Sequence, residues 1–532
     1  MSKFNENRFS IESLANDISG TIVGANDFYS KDGFSGVFNI LSDSKQGDIV
    51  IRHWINEEGI KIASKKNIAC LITQNTIGNS VDIAKDINFP LIVVDKIEIA
   101  NAFALKWTIN KFTPNSKKVV ISGTNGKSTT THMIYHILKS SGAVVFTNTD
   151  SKSEYNTLID PMISKMISDE ILYNEYNNNY SNLEFLIIEA SEVQGWLDKL
   201  MKDHAYLLTD AINPDSVVIT NIALDHIGLV NSIHEVYEET SGVVKALKKG
   251  TAILNYDDTL VRSMNDFTKE GVETFFFSTS NLEKCKDSPN FSKDKFLIFD
   301  SRKKVIVFDD EVVLTLNELP LKSNHFIQNT VAAITACISL KLPINDIVRG
   351  IKSYKPLKRR FSRIHENPLI IDDFAHNPEG IKATVNAVYD LANDNANNNH
   401  NNKCSDINSN KTLWIICAIR GSRGEEINKL NAESLANVVS NIKTNSLNKT
   451  SIKIILSSSE DVVDNANIVK DFEREIFENI LNKNNISFTH YINLQDALNE
   501  TYNLANKEDT VLLIGAQGMD PAKSLLEYIY GN

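Results

Sequence analysis

Cysteine is scarce, five in 532 residues. Cys70, Cys285, Cys337, Cys404 and Cys417 lie far apart, with no C-x-x-C pair and no histidine at zinc spacing. That argues against a disulfide-stapled scaffold and a cysteine-held zinc, and fits reduced thiols packed as small apolar groups in a cytoplasmic protein. Long apolar runs are also missing, since none approaches the ~20 residues of a membrane helix. Met1 to Ile11 is polar and charged, so no secretory signal is expected. Basic charge is outweighed, with 55 Lys and Arg against 67 Asp and Glu and a net charge of -12. The dense positive surface of a nucleic-acid binder is not expected from such a balance. No solenoid repeat is visible. What is left is a globular α/β chain, long enough for roughly three domains of ~100–200 residues.

One stretch organises the chain. Val119-Val120-Ile121-Ser122 is a β-branched run, Gly123-Thr124-Asn125-Gly126-Lys127-Ser128-Thr129-Thr130 is a glycine-punctuated turn, and Met133, Ile134, Ile137 and Leu138 follow at helical spacing. Strand, tight loop and helix start form a phosphate cradle: the N–H groups of the loop and first turn converge on one spot, and the helix dipole favours an anion there. Lys127 offers a mobile cation, and the Ser128 hydroxyl a Mg²⁺ ligand. Ile121 stands where the ordinary Walker loop has its first glycine, so G-T-N-G-K-S-T is a shorter form.

Around this loop the chain alternates strands and helices. Residues 1-112 carry apolar strands at Ile49 to Ile51, Ala69 to Ile72 and Leu91 to Val94, then a helix over Ile97 to Ile109, and read as a small α/β domain. Residues 113-355 read as a doubly wound sheet with its site at the strand C-termini. There Phe185 to Ser191 ends in Glu189, and Val217 to Asn221 leads to Asp225-His226. Ser128, Glu189 and His226 would thus meet at one sheet edge, where oxygen ligands suit a hard cation and an imidazole completes a second site. Residues 356-532 open on Lys358, Arg359, Arg360 and Arg363. Strands at Leu369 to Ile371, Leu413 to Cys417, Lys453 to Leu456 and Val511 to Ile514 suggest a second, Rossmann-like sheet. The Asn-rich run Asn393 to Lys411 reads as a disordered surface loop.

The assembled motifs resemble the Mur ligase family of ATP-dependent amide-forming enzymes, relatives of folylpolyglutamate and cyanophycin synthetases. The resemblance rests on G-T-N-G-K-S-T, I-I-E-A-S, T-N-I-A-L-D-H at Thr220 to His226, G-T-A-I-L-N-Y-D-D at Gly250 to Asp258, and D-F-A-H-N-P at Asp373 to Pro378. It implies a UDP-precursor-binding domain, a central ATPase and a C-terminal amino-acid-binding domain, working as a monomer. Gly123 through Thr129 would hold ATP, with Asn329, Arg360 and Asp373 also reaching the nucleotide. Ser128, Glu189 and His226 would serve Mg²⁺, and Lys127, Glu189, His226 and Arg360 catalysis. The run S-D-S-K-Q-G-D resembles the uridine-side signature of ligases that add the third peptide residue, making Ser42, Asp43 and Ser44 substrate contacts, and Asn156-Thr157 resembles a precursor loop. Arg420, Arg423, Gly515 and Asp520 would face the incoming amino acid.

Three departures qualify the pattern. Ser241 occupies the place of the family's carbamylated lysine, with Lys245 one turn on. Phe326 replaces an adenine-side asparagine. No D-N-P-R motif selects diaminopimelate, which points away from ordinary peptidoglycan substrates and toward a pseudomurein ligase. The expected reaction activates a carboxylate as an acyl phosphate and couples it to an amine. Two alternatives stand beside it: a folylpolyglutamate- or cyanophycin-type synthetase, and an ATP-binding partner subunit that joins nothing.

Overall fold

The computed structural model describes residues 10–24, 37–149, 162–176, 183–196, 199–225, 227–280, 282–286, 291–398, 411–445 and 450–530. Three large sheets carry the fold. In the first, strands Phe38–Asn39, Ile49–Ile55, Cys70–Thr76 and Leu91–Val94 run parallel, and Gly20–Val23 closes one edge antiparallel. Helix Ile97–Phe112 lies at its end and packs on helix His204–Ile212 of the next unit.

The central sheet has nine strands. Lys117–Ser122 lies between Ser216–Ile219 and Phe185–Glu189, all parallel, with Ser122 opposite Ile219 and Ile121 opposite Glu189. Val119, Val120, Ile121, Ile187, Ile188, Val217 and Val218 are fully buried. A central parallel strand covered on both faces needs such continuous apolar runs, which is why these strands were legible without alternation. Truncating one of these isoleucines to alanine would cost about 2–5 kcal/mol. Helix Lys127–Ser140 covers the face that helix Asn324–Ser339 also covers, and the small residues Ala332, Ala333 and Ala336 let the second helix pack closely. Beyond Phe296–Asp300 the sheet ends in two antiparallel strands, Val305–Phe308 and Glu311–Thr315.

The third sheet runs Ser362–Glu366, Leu369–Asp373, Thr510–Ile514, Thr412–Ala418, Ser451–Ser457, Phe488–Tyr491, parallel except for the first. Its last strand in sequence sits in the middle. The loops after Asp373, Ala418 and Ile514 therefore emerge side by side. The Asn-rich stretch departs from expectation at its start: helix Pro378–Asn398 continues through Asn393, and 399–410 lie outside the described residues. Val385, Val388 and Ala392 give that helix a buried stripe, which carries it past the onset of the asparagines. No helix among the described residues is long and apolar enough to cross a membrane.

Candidate functional site

The phosphate loop is shaped by two left-handed glycines. Gly123 has φ 123°, and a Cβ there would lie 2.3 Å from Thr220 Oγ1; Gly126, with φ 86°, would place one 2.2 Å from Asn329 Oδ1. The positive φ disfavours a side chain at both positions, and at Gly123 the Asn221 backbone closes the space as well. The neighbouring strand end holds the loop from outside. Asn125 N–H donates to Asn221 Oδ1 at 2.9 Å, while Thr220 Oγ1 and Asn221 Nδ2 both donate to the Asn125 carbonyl at 2.7 Å. Thr220 and Asn221 of T-N-I-A-L-D-H are thus loop supports.

At the start of helix Lys127–Ser140, Ser128 Oγ donates to Glu189 Oε1 at 2.9 Å, and Thr149 Oγ1 donates to Glu189 Oε2 at 3.1 Å. Asn148 brackets the Glu189 backbone with two bonds, 2.8 and 3.0 Å. Lys127 Nζ donates to Glu192 Oε2 at 2.7 Å and to the Thr124 carbonyl at 3.0 Å. Glu192 is 1% exposed, so the mobile cation rests against a buried carboxylate.

The C-terminal unit closes over this edge. Arg360 Nη2 donates to Ser128 Oγ at 3.1 Å. Asn377 Nδ2 donates to Asn125 Oδ1 at 3.0 Å and to Asp225 Oδ2 at 2.9 Å. Asp225 also meets Arg420 Nη1 at 3.4 Å and His376 Nε2 at 3.5 Å. Between the units lies a cleft of about 380 Å³ whose lining includes Gly126, Thr129, His325, Phe326, Asn329, Arg360, Phe361, Asp373 and Thr384. Burial lowers the His325 pKa, and Asp373 opposes that shift. Asp373 itself accepts from the Phe361 and Ala375 N–H groups and from Thr384 Oγ1.

The structure therefore brings Lys127, Ser128, Glu189 and Arg360 together, with Asn329 and Asp373 lining the adjoining cleft. His226, Asn156 and Thr157 lie outside the described residues. Ser42 and Asp43 are exposed on a turn whose carbonyls accept from Lys66 Nζ; the Ser44 hydroxyl is buried and donates to the Leu41 carbonyl, and Asp43 pairs with Lys165 at 3.6 Å. Arg420 and Asp520, expected to face an amino acid, are engaged by the protein: Arg420 by Asp225, Asp520 by Arg359. Gly515 offers its carbonyl to the same Arg359. Arg423 sits on a loop whose N–H groups at 422, 423 and 424 all donate to buried Glu473, at 2.9, 2.8 and 2.7 Å. Ser241 is buried and donates to the Glu238 carbonyl, and Lys245 lies over the Phe267 ring at 4.3 Å. Glu192 and Glu473 carry no local signal that singles them out, whereas Asp225 and Asn377 lie inside the quoted motifs T-N-I-A-L-D-H and D-F-A-H-N-P without a role read for them.

The fold and loop define a multi-sheet α/β protein with a glycine-punctuated turn, shaped as a phosphate cradle would be, where the second and third sheets meet. Residues 121–337 match the family described as the Mur ligase middle domain. Among curated relatives, the UDP-N-acetylmuramate--L-alanine ligase of Acetivibrio thermocellus is 26% identical over 352 residues, 66% of this chain and 65% of that protein. The enzyme of the same name from a Sulfurihydrogenibium species is 26% identical over 404 residues, 75% and 72% of the two chains. The match to the Clostridium novyi enzyme spans about half of its length, 51%. Among solved structures, MurF from Acinetobacter baumannii superposes with TM-score 0.64 at 14% identity over 99% of each chain. A pseudomurein peptide ligase type C from Methanothermus fervidus gives 0.54 at 19% identity, covering 90% and 94%. MurF from Thermotoga maritima, solved with ADP, gives 0.59 at 16% identity over 93% and 96%. The chain shares the fold of these three structures over nearly its whole length.

Proposed function

We propose that this protein is an ATP-dependent amide ligase that joins an amino acid to the carboxylate of a UDP-linked cell-wall peptide precursor, with pseudomurein as the polymer. One observation carries the reading above all: Arg360, from the C-terminal unit, rests on Ser128 of the phosphate loop, so the site is assembled from both units. A site divided in this way suits two substrates that must meet away from water.

The precursor carboxylate would attack the γ-phosphorus of ATP and release ADP. The amine would then attack the acyl carbon of the resulting mixed anhydride, and the tetrahedral intermediate would expel phosphate. Lys127 and Arg360 would balance charge on the moving phosphoryl group, and Arg360 would remain beside the oxyanion. To reach a phosphate, Lys127 exchanges Glu192 for it. The Ser128 hydroxyl and Glu189 carboxylate, 2.9 Å apart, are an all-oxygen pair of the kind Mg²⁺ takes together with phosphate oxygens. That ion would supply charge neutralisation at the phosphates. Precursor binding is assigned to residues 1-112, ATP to 113-355 and the amino acid to 356-532.

Purified protein given ATP and Mg²⁺, UDP-linked muramoyl and glutamyl peptides and a panel of amino acids tests the reading. One pair should give stoichiometric phosphate and a product one residue heavier by mass. Product from a folate instead would overturn the substrate class. ATP binding with no product under any pair would favour a non-ligating subunit.

A further inference from the structure

Arg359 and Arg360 are consecutive, yet their guanidinium groups hold different partners, the loop after Ile514 and the turn that carries Ser128. Arg360 reaches Ser128, at 3.1 Å. Arg359, only 5% exposed, reaches the loop after the sheet's middle strand: Nη1 donates to the Ala516 carbonyl at 3.0 Å and to Asp520 Oδ1, Nη2 to the Gly515 carbonyl, and Nε to Asp372 Oδ1 at 3.3 Å. Both cations lie against one ring, with the Arg359 and Arg360 Cζ atoms 5.0 and 4.9 Å from the centre of Phe374. The backbone on either side of Arg360 is unusual. Arg359 has φ 56° and Phe361 φ 53°, a region that side-chain-bearing residues rarely adopt. The Arg359 N–H donates to Ser362 Oγ at 3.1 Å, and the Phe361 N–H to Asp373 Oδ2 at 2.7 Å.

We propose that Arg359 is a positioning residue that ties the loop Gly515–Asp520, on the amino-acid side, to the phosphate-side Arg360. The inference rests on the ligase reading. A rigid planar fork gripping two carbonyls and two carboxylates moves with the loop it holds, and a lysine cannot reproduce that grip. Because one peptide link separates the two arginines, displacement of the loop displaces Arg360 from Ser128. Occupancy of the amino-acid side and placement of the phosphate-side cation are thereby linked.

The test compares Arg359→Lys, Asp520→Asn and the double variant in the ligation assay, at saturating ATP and precursor, with the amino acid that the wild type accepts from a panel of L- and D-forms. Each single variant should raise the amino-acid KM roughly 10-fold and lower kcat, with the Kd for a non-hydrolysable ATP analogue within about 3-fold. The double variant should be little worse than the worse single, because the two groups act as one strut. Should Arg359→Lys fail to fold, Asp520→Asn alone carries the KM and Kd comparison. An amino-acid KM within about 2-fold of wild type in folded variants, or effects that multiply in the double, would overturn the proposal while leaving the ligase reading intact. A wild type that joins no amino acid would overturn both.

Discussion

Arg360 and Ser128 are separated by 232 residues of chain and by a domain interface, and the guanidinium donates to the hydroxyl at 3.1 Å. The contact fixes where a positive charge stands relative to the phosphate loop. Arg360→Ala should therefore lower turnover ~100-fold or more, in line with about 2.7–4 kcal/mol for removing one donor to developing charge. ATP-analogue affinity, measured by calorimetry, should fall far less. Equal losses in both would make Arg360 a simple binding residue.

Half-buried Lys127 pairs with buried Glu192 at 2.7 Å. Removing the lysine leaves the Glu192 charge inside, at a cost below the about 3–5 kcal/mol of breaking a fully buried pair. Lys127→Met should thus lower the unfolding midpoint as well as turnover. Lys127→Met combined with Glu192→Gln should recover part of the stability and none of the activity. Equal stability of the single and double variants would mean the pair is not coupled.

Gly126 touches Asn329 so closely that a Cβ would sit 2.2 Å from Oδ1. Gly126→Ala must displace Asn329 and strain a backbone at φ 86°. ATP-analogue binding should weaken at least ~10-fold, equivalent to about 1.4 kcal/mol. Asn329→Ala, which makes room, should partly restore stability in the double variant. Unchanged nucleotide affinity in Gly126→Ala would remove the loop from the binding site.

His53 and His204, where the first unit meets the central one, have pKa values pushed down to about 4 by burial, with His53 further lowered by His204. Their folded pKa lies below the unfolded 6.5, so the unfolded chain binds more protons between these values. The stability they contribute is complete above pH 6.5 and is lost as pH falls toward 4. For fully buried His204 that amounts to about 3 kcal/mol. Glu239, raised to about 7 chiefly by burial, acts oppositely: its contribution is present below pH 4.5 and lost as pH rises through 7. Urea midpoints at pH 7 and 4.5 should differ less for His204→Leu than for the wild type. An identical acid loss in both would place the sensitivity elsewhere.

Much of this architecture was legible because its signals are local. The phosphate loop is written in eight consecutive residues, the flanking strands are unbroken apolar runs, and Glu189 ends one of them. Other roles depend on distant partners. Glu192 meets Lys127 across 65 residues, Asn377 meets Asp225 across 152, and Arg359 meets Asp520 across 161. Read along the chain, Arg359 is one basic residue among several in a linker. Only the crossing of the middle strand, Thr510–Ile514, between Leu369–Asp373 and Thr412–Ala418 brings its partners to it. For the same reason, Asp520 and Arg420 resembled open substrate clamps in sequence, whereas the folded chain gives each an internal counter-ion.

The account turns on a precursor carboxylate that is phosphorylated before the amine arrives. Precursor carrying ¹⁸O in its acceptor carboxylate, incubated with ATP, Mg²⁺, enzyme and the accepted amino acid, tests this most directly by mass analysis of the released phosphate. One ¹⁸O atom per phosphate formed, matched by one amide product, is the predicted result. Phosphate without ¹⁸O alongside amide product would contradict the acyl-phosphate route.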